Sequence, residues 1–129
     1  MAHQAAVDPV ILKLFHHYLY EYGRGVRALF LMTIGADEVA LVAARLRAAG
    51  VDHFTQSVSP AKVNIFFGRA AFVETAQAFV TRPLNALTPE EDFMLGTLLG
   101  YDREQQCRRF LDRRARQGHG RAASALAAE

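Results

Sequence analysis

The spacing of apolar positions along the chain marks out eight elements. Ile11, Leu14, Phe15, Tyr18, Leu19 and Tyr22 recur at i, i+3 and i+4, which predicts an amphipathic helix. Asp8 is its N-cap, Pro9 fills the first helical position, and Gly23 ends it. A strand reading of the aromatic run FHHYLYEY competes. Strict alternation would put Glu21 on the buried face with Phe15 and Leu19, which favours the helix. Val26–Ile34 (VRALFLMTI) is apolar on both faces, which predicts a strand that is covered on both sides and central in its sheet. Asp37–Ala49 returns to helical spacing, with Val39, Val42, Ala43 and Leu46 inward, Arg45 and Arg47 outward, and Gly50 as the stop. Val51–Val58 and Lys62–Phe67 read as strands joined by Ser59-Pro60-Ala61 into a hairpin. Arg69–Val80 reads as a helix burying Phe72, Val73, Ala76, Phe79 and Val80. It stops before Pro83, because a residue preceding proline disfavours α geometry.

The next stretch, Thr88–Asp102 (TPEEDFMLGTLLGYD), has the clearest ends in the chain. Thr88 and Glu91 stand at capping-box spacing, Pro89 is at the first helical position, and Gly100 stops the helix. Glu90, Glu91 and Asp92 place negative charge at the positive end of the helix dipole, a capping role that outweighs a metal or acid/base role. Phe93, Met94, Leu95, Leu98 and Leu99 leave little polar face, so the helix reads as a buried cover. Gly96 inside it implies a close helix approach. Asp102 then caps a last helix, Arg103–Arg116, with a narrow apolar stripe of Cys107, Phe110 and Leu111.

This order predicts an α+β fold, a two- to three-layer sandwich on a half-ferredoxin-like β-α-β-β-α core with about three strands. The N-terminal helix and two C-terminal helices would cover the second face. A right-handed crossover would set Val26–Ile34 parallel to its neighbour. Alternatively, a partner chain completes the sheet along an edge. Residues 1–116 read as one domain, and 117–129 as a flexible tail with little to bury.

Composition narrows the function classes. The 129 residues are 51% apolar, enough for a proper core. No apolar run is long enough to span a bilayer, and the N-terminus lacks a secretory pattern. A single cysteine excludes an internal disulfide and fits a reducing, cytoplasmic setting. His16-His17 point about 100° apart on a helix, so they cannot share one metal unaided. No HxxxH, CxxC, phosphate loop, GxSxG or HExxH occurs, and no nucleophile stands at a diagnostic spacing from a base. The reading is therefore a non-enzymatic domain with no cofactor and no metal site. Arg108 and Arg109 beside Cys107 could favour its thiolate, but a packed cysteine in the apolar stripe is the preferred reading.

Arginine is the surface signal. Thirteen of the fifteen basic residues are arginine, and Arg103, Arg108, Arg109, Arg113, Arg114 and Arg116 share one predicted helix. A solvated face is the plain reading. The functional one is an acidic protein partner, because the guanidinium fork fits carboxylates in bidentate fashion. A net charge of only +2, without aromatic interleaving, argues against nucleic acid. Tyr20 and Arg24 could extend the interface, since both residue types are enriched there. The expected partner-binding residues are thus Arg103, Arg108, Arg109, Arg113, Arg24 and Tyr20, with a homodimer also in view.

FHHYLYEYGRGVRALFLMT, KVNIFFG and above all TRPLNALTPEEDFMLGTLLGYDREQQC resemble a bacterial family of small proteins known as domain of unknown function 2023. The resemblance covers roughly Lys13 to Phe110. It implies no activity, cofactor or catalytic residue. Relatives are often encoded beside a flavodoxin, which implies an acidic redox carrier as partner. Some relatives carry a second cysteine three residues before the position of Cys107. Glu104 stands there in this chain, so no CxxC is formed. The leading expectation is an accessory or adaptor protein for such a carrier. The alternative is a small-molecule- or metal-sensing regulatory domain.

Overall fold

A computed structural model of the chain describes the backbone of residues 7–128, with side chains through residue 118. The chain forms two compact units, Met1–Phe79 and Val80–Glu129.

The first unit is α1 (Pro9–Gly23), β1 (Leu29–Gly35), a 3-10 turn at Ala36–Glu38, α2 (Val39–Ala48), β2 (Asp52–Ser57), β3 (Lys62–Gly68) and α3 (Ala70–Phe79). Helix α1 starts where its cap requires: an Asp8 carboxylate oxygen accepts from the Val10 N–H at 2.9 Å. Its start is also fixed to the entry of α2. The buried Glu38 carboxylate accepts from the backbone N–H of Asp8 at 2.9 Å and of Gly35 at 2.8 Å.

The three strands lie in the order β1-β3-β2, with β3 antiparallel to both neighbours. This is the strand order of a half-ferredoxin arrangement, within an α+β fold. Two expectations are corrected. β1 is an edge strand, and its neighbour is the antiparallel β3; it runs in the direction of β2, but β3 lies between them. The reason is physical: an apolar pattern on both faces reports layers above and below a strand, not strands beside it. The centre falls to β3, where Asn64 to Gly68 are all buried.

One face of the sheet carries Phe30, Met32, Ile34, Ile65 and Phe67, covered by Phe15 and partly buried residues of α1 and by Val42 and Leu46 of α2. Phe30 and Phe67 stack at 5.3 Å across the β1–β3 pair, and Phe15 meets Phe67 edge-on at 5.6 Å. All three rings are fully buried, each contributing about 1.5–3 kcal/mol of transfer free energy. The other face carries a Phe54–Phe66 stack at 4.5 Å and a polar row. There Thr33 Oγ1 donates to Asn64 Oδ1 at 2.7 Å, and Asn64 Nδ2 donates to Gln56 Oε1 at 3.4 Å. That row lets the central strand bury Asn64 without leaving it unpaired. Gly68 ends β3 with φ 156°, and a Cβ there would lie 2.0 Å from the Ala28 carbonyl oxygen, so only glycine fits.

The second unit is a 3-10 turn (Leu84–Ala86), α4 (Pro89–Leu98) and α5 (Arg103–Ala128), with α4 and α5 packed together. The sequence reading stops the last helix at Arg116. In the structure it continues to Ala128, through most of the expected tail and past Gly118 and Gly120, with no proline to stop it. The side chains beyond 118 lie outside the described residues. No helix among the described residues is long and apolar enough to cross a membrane.

Candidate functional site

The second unit gathers most of the expected site residues, and its geometry follows from the two helix starts. Thr88 Oγ1 accepts from the Glu91 N–H at 3.1 Å, and Glu91 Oε1 accepts from the Thr88 N–H at 2.9 Å, completing the capping box. The Thr88 N–H bond is the main reason the Glu91 carboxyl sits below the usual glutamate range. Asp102 caps α5 by accepting from the Gln105 N–H at 2.9 Å. The two helices approach closely at Gly96, where a Cβ would lie 2.0 Å from Gln106 Oε1. Phe93 and Phe110 meet nearby, with ring centroids 5.6 Å apart.

The acids of the first turn of α4 meet the arginines of α5. Asp92 is the hub. Arg109 donates to it from Nε at 2.7 Å and from Nη2 at 3.0 Å, a bidentate pair. Arg113 places Nη1 3.0 Å from Asp92 Oδ1 and donates from Nη2 to the Leu87 carbonyl at 2.9 Å. Nη1 is buried and badly angled for a hydrogen bond to Asp92, so that contact is an ion pair without an aligned N–H. Burial opposes the charged form of Asp92. Hydrogen bonding and charge from Arg109, joined by Arg113, outweigh it and hold the carboxyl below the usual aspartate range. Arg114 pairs with Glu90 at 3.4 Å, Arg108 with Glu104 at 2.9 Å, and Arg82 with Glu91.

Arg108 and Arg109 keep most of their side chains in solvent, at 76% and 57% exposure, whereas Arg113 is at 22%. Arg103 is exposed and forms no ion pair with a described residue. Tyr20 and Arg24 belong to the first unit, at the end of α1. Both are exposed, and the Arg24 guanidinium lies 5.8 Å from the Tyr20 ring centroid. The six expected residues therefore fall into two groups, one on each unit.

Two readings of α5 are corrected. Cys107 is exposed, not packed, and Leu111 is 63% exposed. Gln106 instead turns inward, at 9% exposure. The tight passage at Gly96 admits the slender Gln106 side chain, and in that helix phase Phe110 stays half-buried against Phe93 while Cys107 and Leu111 turn outward. Sequence reasoning missed Asp92 as the arginine hub and Gln106 as a buried group. A hairpin reading of the two helices would have pointed to Asp92, because it pairs early acids with later arginines. No local signal marks Gln106.

A groove of about 630 Å³ opens on this unit, lined by Asn85, Gln105, Gln106, Arg109, Asp112, Arg113 and Arg116. Its lining is a set of hydrogen-bond donors around excess positive charge, suited to holding an anionic group. The first unit has a shallower groove of about 460 Å³ beside Arg47, His53, Glu74 and Gln77. Among the described residues, no group of three His, Cys, Asp or Glu side chains could hold a metal ion.

Residues 13–113 match the family described as Protein of unknown function (DUF2023). No curated protein matches the chain.

Proposed function

The chain belongs to the DUF2023 family, and on that premise we propose that it is a cytoplasmic accessory or adaptor module that binds an acidic protein, a redox carrier such as flavodoxin being the first candidate. The supporting observation is the way α4 holds the arginines of α5. Asp92 fixes Arg109 and Arg113, while Arg103, Arg108 and Arg109 still face solvent. Guanidinium groups already restrained lose less freedom on meeting a partner, and charge complementarity speeds encounter and fixes register.

Calorimetric titration against a flavodoxin from the same organism, at low and high salt, tests this. Binding should weaken with salt, and Arg103→Glu with Arg108→Glu should weaken it on the order of tenfold, about 1.4 kcal/mol. No binding at low salt, or binding indifferent to salt and to both charge reversals, refutes the proposal. The expected homodimer draws on the outer edge of β1, which no described strand pairs, and light scattering would detect it. The sensing alternative draws on the groove beside Gln106, and its metal form finds no ligand cluster among the described residues.

A further inference from the structure

We infer that the groove of the second unit seats a single carboxylate of an acidic protein segment, with the Gln106 amide and the Arg116 guanidinium as its donors and Arg113 adding positive charge to the wall. The inference deepens the proposed function and rests on it for the acidic chemistry of the partner.

Gln106 carries the argument. It is nine-tenths buried and lines the groove, yet its side-chain amide has no hydrogen-bond partner among the described residues. Its oxygen lies against Gly96, where there is no side chain to answer it. The amide keeps contact with solvent in the groove, so a carboxylate there would exchange its water for a charge-assisted hydrogen bond. Arg113 adds charge to the same wall: its Nη2 donates to the Leu87 carbonyl and its Nη1 is buried against Asp92. Arg116, also in the lining, forms no ion pair with a described residue.

Charge selects the ligand class. Arg109, Arg113 and Arg116 bring three positive charges, and Asp92 behind them with Asp112 in the wall bring two negative ones. The surplus of one suits a monoanionic carboxylate better than a phosphate dianion. Asp112 in the wall also repels the second charge of a phosphate.

The test uses the full chain and two probes, a glutamate-rich peptide and inorganic phosphate, followed by the NMR signals of the Gln106 side-chain amide and the arginine Nε–H groups. The peptide should shift and saturate the Gln106 and Arg116 signals. Gln106→Met, which keeps the volume and removes the donors, should weaken peptide binding by about tenfold, as should Arg116→Gln. Arg108→Gln should leave these shifts within about twofold, since Arg108 does not line the groove. Thermal melts would establish that each variant remains folded.

Unmoved Gln106 signals, unaltered affinity in Gln106→Met, or tighter saturation by phosphate than by peptide would each overturn the inference. An acidic protein that binds while the Gln106 amide stays unperturbed removes the groove assignment alone. Failure of both protein and peptide removes the proposed function with it.

Discussion

Replacing Asp92 by alanine is the sharpest single perturbation of the second unit. Its carboxylate is 14% exposed, accepts two hydrogen bonds from Arg109 and lies 3.0 Å from Arg113. An exposed ion pair contributes about 0.2–1 kcal/mol, whereas breaking a buried one costs about 3–5 kcal/mol. Asp92 and Arg113 sit toward the buried end, and Arg109 toward the exposed end. Loss of a first-turn acid adds a few tenths more through the helix dipole. The expected loss is therefore about 2 kcal/mol, read by urea denaturation followed by circular dichroism. In an Arg113→Ala background the same change should cost about 1 kcal/mol less, because the buried guanidinium it would have stranded is gone. The folded carboxyl titrates below its unfolded value of about 3.9. Its contribution is thus full above that value and fades as pH falls through the lower folded pKa, and the wild-type advantage over Asp92→Ala should shrink there. A loss below about 0.5 kcal/mol, or one unchanged by removing Arg113, would refute the hub assignment.

Gly96→Ala should destabilise the chain despite alanine's helix propensity, worth about 1 kcal/mol, because the new methyl meets Gln106 Oε1. Gln106→Ala in the same chain should restore at least half of that loss in a thermal melt. Phe67→Ala should cost about 3–5 kcal/mol, since the ring is fully buried against Phe15 and Phe30, and a smaller shift in the urea midpoint would argue against that stack. Cys107 should react completely with a thiol reagent in native buffer, and protection until unfolding would contradict its exposure.

The two capped starts at Asp8 and Thr88 were legible because caps are local: the residue that donates or accepts is within three positions of its partner. The hairpin from β2 to β3 was legible for the same reason. The candidate site was legible only as a list of arginines. The partners of Arg109, Arg113 and Arg114 lie 17 to 24 residues away on α4, beyond any helical period, so which of these guanidinium groups is held and which is left in water could not be read along the chain.

The sequence by itself determined the order and kind of the elements, since helical and strand periods are properties of neighbouring residues. Only the tertiary structure decided that β3 is the centre of the sheet, because hydrogen bonding beside a strand leaves no mark on its faces. Only the tertiary structure turned Cys107 outward and Gln106 inward, because the rotation of α5 is fixed by its closest contact, at Gly96. That rotation places an unpaired amide in an arginine-lined groove, a feature created by two helices meeting.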